Sequence, residues 1–329
     1  MPELRKDPVL GRWVIVATER ARRPSDFAPP PAVSEPEGRA CPFCAGNEAM
    51  TPPEVLRFGD GERWLVRVVP NRFPALVAEG EATRQGAGIY DRMNGIGAHE
   101  VIIETPDHSQ RLSDLPPGKV ELVLRAFRSR AIDLGRDPRI RYIMVFKNEG
   151  ASAGASLSHS HSQLIATPVI PVLVKEEIAG ARRYHDFRGR CVFCDMVKQE
   201  LAESARLVDV NDGFAAFAPW APRFPFETWV VARDHYSSWG SLDDSRLADL
   251  ARLLEGVVGR IARALSRPDY NIVFHAGPTC GDDEGHYHFH VEILPKLSKI
   301  AGFEAGTGFY INPVPPEDAA RYLREVGCS

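Results

Sequence analysis

The chain has 329 residues, 44% of them apolar and 26% charged, with a formal net charge of −4. That length suits two ordinary domains with substantial cores. No apolar run is long enough to span a bilayer, and the acidic balance excludes a non-specific nucleic-acid binder, which needs a basic face.

The opening Met-Pro-Glu-Leu-Arg-Lys-Asp carries charge where a secretory leader is apolar, so a cytoplasmic chain is the expectation. Residues 12–17 read as a strand and lead into Glu-Arg-Ala-Arg-Arg-Pro (19–24), either a solvated basic turn or an anion-binding one. Residues 28–40, rich in Pro, Glu and Ala, read as a surface loop. Cys41-Pro-Phe-Cys44 then makes a tight turn with two thiols. Residues 64–70 and 99–104 read as strands, and the apolar spacing of Val120, Leu122, Leu124, Phe127 and Ile132 predicts a helix over 118–134.

Residues 141–146 form an apolar strand that delivers the stretch from Asn148 to Gln163. Gly150 and Gly154, with Ala and Ser between them, leave room for a ligand to approach the backbone. His159, His161 and Gln163 follow at alternate positions, so an extended chain points all three the same way. Two imidazoles and a carboxamide beside a loop rich in amide and hydroxyl donors suit phosphate chemistry. Residues 172–190 turn charged and read as the crossing between halves, giving domains 1–175 and 176–329.

The second half repeats the first. Asp-His108 recurs as Asp-His235 and His159 as His286, both 127 residues on. Each half opens with a Cys-x-x-Cys, and a helix lies between the histidines each time; the second helix carries the apolar stripe Leu247, Leu250, Leu253, Leu254, Val257 and Ile261. The expected fold is therefore α+β: two tandem copies, each an antiparallel sheet with a long helix packed on it.

Cys41, Cys44, His108 and His159 offer the two thiolates and two imidazoles that a closed zinc site prefers. Cys191, Cys194, His235 and His286 offer the same in the second half, although His288 and His290 are equally placed to supply the fourth ligand. The competing reading is reduced thiol pairs with unrelated histidines. With His159 on a metal, His161 is free to act as a nucleophile toward phosphorus, and Gln163 to donate to a phosphate oxygen.

His-x-His-x-Gln after a glycine-rich Asn-x-Gly-Ala loop, in a duplicated Cys-x-x-Cys/His chain, resembles the galactose-1-phosphate uridylyltransferase family of the histidine-triad superfamily. The resemblance runs from Arg-Lys-Asp-Pro-Val near the start to Tyr-Ile-Asn-Pro near the end. It implies ping-pong nucleotidyl transfer from a nucleotide-sugar through His161, with Gln163 on the nucleotidyl phosphate. Arg20, Arg23, Asn71, Phe73, Asn148, Gly154, Ser156, Ser160 and Gly306 are the implied substrate contacts. It also implies a homodimer acting on nucleotide-sugars and sugar phosphates, with two zinc ions per chain. In the galactose enzymes the second metal uses Glu and His ligands, which map to Glu177, His275, His290 and Glu292, so iron is an alternative there.

Serines at 160 and 162 and the segment Gly-Thr-Gly-Phe-Tyr-Ile-Asn-Pro (306–313) are more similar to the ADP-glucose phosphorylases of the family. Thr307-Gly308 stands where the galactose enzymes carry Tyr-Glu, which favours phosphate over hexose 1-phosphate as acceptor. Two further readings compete: a histidine-triad hydrolase, with His286-x-His288-x-His290 as a possible second active centre, and a zinc-stapled binding module without turnover. The segment before His286 is acidic and would repel phosphate, which speaks against the second half.

Overall fold

The computed structural model describes residues 2–17, 23, 26–27, 40–60, 63–280 and 285–327. Ten strands of alternating or continuous apolar character build one sheet. The first half supplies β1 (Leu56–Asp60), β2 (Arg63–Pro70), β3 (Ala98–Ile103), β4 (Tyr142–Glu149) and β5 (His161–Thr167). The second supplies β6 (Leu207–Val210), β7 (Phe214–Phe217), β8 (Thr228–Ala232), β9 (Tyr270–His275) and β10 (His290–Pro295).

The order across the sheet is β6-β7-β8-β10-β9-β4-β5-β3-β2-β1. Every neighbouring pair is antiparallel. Read from its outer edge inward, each half has the same order, so the duplication expected from the sequence is present in the fold. The two sheets are not separate, however. β4 pairs with β9 along Glu149↔Tyr270 to Val145↔Phe274 and makes them continuous.

Among the described residues six α-helices accompany the sheet. α1 is Pro117–Leu134, begun by a proline where a missing N–H costs nothing and followed by Gly135. Its equivalent α4, Asp244–Ala264, is capped by Asp243, whose carboxylate accepts from the Arg246 backbone N–H at 2.9 Å. These two helices pack on each other. One core joins Leu124 and Phe127 of α1, Leu254 and Val257 of α4, and Val145, Ile272 and Ile293 of the strands. Ile132 falls one step off that stripe, with Ala131 taking the buried place, and is 42% exposed. Arg130 ties α1 to β3 through a two-pronged contact with Glu100 at 2.8 and 2.7 Å.

The stretch read as a charged crossing is helical. α2 (Val172–Arg188) fills it and α3 (Val192–Glu203) follows, so a boundary at 175/176 falls inside α2. Glu177, one of its charges, is buried. Near the C-terminal end lie α5 (Gly302–Thr307) and α6 (Pro316–Glu325). Between them the strand Tyr310–Asn312 runs parallel to Trp13–Val16, which pairs with Glu3–Lys6, so the two ends of the described chain share a small second sheet.

Candidate active site and metal centres

β5 sorts its residues by face. His161 and Gln163 point one way with His159 just before them, and Ser160 and Ser162 point the other. Ser160, expected among the substrate contacts, is 2% exposed and donates to Glu104 Oε2 at 2.5 Å. Ser162 donates to Glu104 Oε1, also at 2.5 Å, and Lys147 Nζ donates to Glu104, to Ser160 and to the His161 carbonyl. The alternation that aligns the histidines is what turns these serines away.

On the other face, His161 Nδ1 donates to the His159 carbonyl at 2.8 Å. Among the described residues no group hydrogen-bonds its Nε2, so that nitrogen is left with its lone pair outward. Burial pushes the imidazole below its ordinary pKa, which keeps it neutral. The Phe43 ring packs edge-on against it at 5.4 Å.

Cys41, Cys44, His108 and His159 converge beside it, their donor atoms all within 4.8 Å of one another. Sγ to Nδ1 separations are 3.7 Å (Cys41–His159), 3.3 Å (Cys44–His108) and 3.7 Å (Cys44–His159). A tetrahedral ion bound at about 2.0–2.3 Å has ligand edges of roughly 3.3–3.8 Å, so the set fits one. Each imidazole's other nitrogen is held: His159 Nε2 donates to the Thr105 carbonyl at 2.7 Å, and His108 Nε2 lies 3.0 Å from Ser158 Oγ.

The second half repeats the geometry with one change. Cys191, Cys194 and His235 gather with His288, not with His286. Cys194 Sγ lies 3.5 Å from His235 Nδ1 and 3.6 Å from His288 Nδ1, and His288 Nε2 donates to the Ala232 carbonyl at 2.9 Å. The connection between β9 and the cluster is two residues longer than its counterpart, so the 127-residue offset holds for His235 and fails by two at the next histidine. His286 instead meets Arg182 Nε at 3.4 Å.

By the same shift His290 is the counterpart of His161, and its Nδ1 donates to the His288 carbonyl at 2.9 Å. Its Nε2 faces Glu177 Oε1 at 3.2 Å. A phosphate brought to that nitrogen would meet a carboxylate. Glu177, His275 and His290 form a third group of donors close enough to hold an ion. Burial opposes charge on His275, but Glu177 and Glu292 outweigh it and hold its pKa up near 10.

The glycine loop ahead of His159 is braced from the second half. Ser152 N–H donates to Asp269 at 2.7 Å, and Asn271 donates to Asn148 Oδ1 at 2.8 Å and to the Ala153 carbonyl at 2.9 Å. Gly150 has φ +83°, and a Cβ there would sit 1.8 Å from Asp269 Oδ1, so only glycine fits. With its oxygen occupied, Asn148 presents its NH₂, beside Gly154. Gly154 and Ser156 are exposed on this loop.

Asn71 and Gln163 meet at His99, a residue that sequence reasoning passed over: Gln163 Oε1 is 2.8 Å and Asn71 Nδ2 3.1 Å from its Nε2. Phe73 is 82% exposed. Arg20 lies outside the described residues. Arg23 and Gly306 are exposed, and no hydrogen bond among the described residues joins either to the His161 group. Glu104, Lys147, Asp269 and Asn271 were also missed, because each sits near other polar residues close to a strand end and looks ordinary there.

The chain is similar to known proteins over its whole length. The family model described as the N-terminal domain of galactose-1-phosphate uridyl transferase matches residues 1–171, and a domain of unknown function, DUF4921, matches 128–325. An ADP-glucose phosphorylase of Arabidopsis thaliana is 41% identical across 99% of this chain and 93% of its own. A galactose-1-phosphate uridylyltransferase of Thermotoga maritima is 29% identical across 99% of both. The crystal structure of an Arabidopsis ADP-glucose phosphorylase with bound ADP-glucose superposes with a TM-score of 0.87, at 40% identity and 100% of each chain. A uridylyltransferase structure gives 0.78 at 29% identity, covering 99% of this chain and 98% of the other.

Proposed function

The chain belongs to the galactose-1-phosphate uridylyltransferase family, and from that premise we propose a nucleotidyl transfer through His161 with ADP-glucose as donor and inorganic phosphate as acceptor. The reaction class is the family's. His161 Nε2 attacks the α-phosphorus of the nucleotide-sugar. A P–N bond forms, the bond from that phosphorus to the bridging oxygen breaks, and glucose 1-phosphate leaves with the oxygen. The adduct carries positive charge on the imidazole, which the His159 carbonyl stabilises through Nδ1–H at 2.8 Å. A phosphate oxygen then attacks the same phosphorus, the P–N bond breaks, and ADP departs.

The observation that carries this reading is the lone Nε2 of His161, locked in the correct tautomer beside Gln163 and the braced glycine loop. Adenosine and phosphate are favoured by the 41% identical phosphorylase and by Thr307-Gly308, which offers no carboxylate for sugar hydroxyls.

The donor sets support two zinc ions per chain, one on Cys41, Cys44, His108 and His159, the other on Cys191, Cys194, His235 and His288. Bound there, zinc supplies a structural brace that ties the Cys41–Cys44 turn to the start of β5. A cytoplasmic homodimer belongs to the same proposal, and no helix among the described residues is long and apolar enough to cross a membrane.

The test is intact-mass measurement after exposure to ADP-glucose and to UDP-glucose, then discharge of the labelled chain by phosphate or by galactose 1-phosphate. One adenylyl group, absent from His161→Ala and released by phosphate, is expected. Labelling by UDP-glucose alone, discharged faster by galactose 1-phosphate, would return the chain to the uridylyltransferases.

A further inference from the structure

We propose that His99 is a positioning residue that turns the Gln163 carboxamide so that its NH₂ faces the nucleotidyl phosphate. The proposal rests on the reading of His161 as the carrier.

β3 lies beside β5, with His99 opposite Ile165 and Val101 opposite Gln163. His99 and Gln163 are thus diagonal neighbours on the face that bears His161. A carboxamide has no preferred end unless something fixes it. Here a backbone group does, at one remove. The Ala75 N–H, which cannot be turned over, donates to His99 Nδ1 at 3.2 Å. Nδ1 is therefore the acceptor nitrogen, and in a neutral ring Nε2 carries the proton.

A proton on Nε2 needs an acceptor, and Gln163 Oε1 lies 2.8 Å away. With the oxygen held there, the Gln163 NH₂ is the end left for a ligand. The opposite orientation would set an oxygen lone pair against phosphate oxygens and a donor against a donor at His99.

Asn71 shows the same control from its other side. Its Oδ1 accepts the Phe73 backbone N–H at 2.9 Å, so its NH₂ lies toward the pocket, 3.1 Å from the same protonated Nε2. Two donors face each other there. That NH₂ gains by turning to an acceptor on a bound nucleotide. His99 thus aims Gln163 and leaves Asn71 in want of an acceptor, while touching neither substrate nor reacting atoms itself.

The experiment is a double-mutant cycle on the holoenzyme, reading kcat and KM for nucleotidyl transfer together with melting temperature. His99→Phe should lower kcat by about ten- to a hundredfold, the usual loss when an orienting partner is removed, with KM changed far less. The same change made in Gln163→Ala should bring almost no further loss, because the residue it orients is gone. His99→Gln, which keeps an N–H donor, should recover most of the activity. If the two losses add in full in a wild type that labels normally, or if His99→Gln is as impaired as His99→Phe, the assignment is overturned. A wild-type chain that takes no label overturns the His161 reading and this one with it.

Discussion

Single histidines distinguish the two halves, and on the proposed reading they set which one carries the nucleotidyl group. His161 and His290 have the same Nδ1-to-carbonyl bond two residues back, yet one Nε2 is open and the other faces Glu177. The pairing of His288 with the second thiol pair follows from the same two-residue shift. His288→Ala should therefore lower bound zinc by about one ion per chain, because a four-ligand structural site does not tolerate loss of an imidazole. His286→Ala should leave metal content unchanged. Elemental analysis of the two purified variants checks this, and a loss with His286→Ala but not His288→Ala would restore the sequence expectation. The thiol pairs, His108, His159 and His235 were all readable from spacing. The fourth ligand was not, because a constant offset assumes loops of constant length, and loops are where insertions are tolerated.

At the scale of elements, β5 has two working faces, one lined by His161 and Gln163, the proposed catalytic pair, and the other by a buried charge cluster. Lys147 is 1% exposed and meets Glu104 at 2.8 Å and Glu149 at 3.2 Å. Burial alone would raise the Glu104 carboxyl, but Lys147, Ser160 and Ser162 together hold it below its ordinary value. Lys147→Met leaves that carboxylate buried without its counter-charge and should destabilise the chain by about 3–5 kcal/mol at pH 7. A carboxyl held low in the folded state adds stability above its ordinary value of 4.5 and loses it as pH falls through the folded one. The gap in melting temperature between wild type and variant should accordingly narrow below pH 4.5, and a gap independent of pH would dissociate the effect from Glu104. The strand itself was plain from its alternation, but the resemblance placed Ser160 among the substrate contacts, and the structure turns it to the opposite face, onto Glu104. What the sequence hid was the partner across the sheet, since Glu104 and Lys147 look like ordinary strand ends until β3, β4 and β5 are laid side by side.

For the whole molecule, the repeat predicted two copies but not the seam between them. β4 and β9 close one sheet, and that seam places Asp269 and Asn271 of the second half under the glycine loop of the first. The half without an open nucleophile is therefore part of the site. Asn271 satisfies both the Asn148 side chain and the Ala153 carbonyl, which fixes the loop and leaves the Asn148 NH₂ free for a phosphate. Asn271→Ala removes two donors at once and should cost about 1–3 kcal/mol of stability through the partly buried acceptors left unpaired. Freed of its brace, Asn148 can present either end to the ligand, so kcat/KM for the nucleotide-sugar should fall by roughly tenfold, the equivalent of 1.4 kcal/mol. An exposed change on the same half, Arg252→Ala on α4, should leave kcat/KM as it was, since its contact is with Asp249 beyond the seam. Steady-state kinetics and thermal melts of the two variants decide it: equal activity in both would make the second half a scaffold alone.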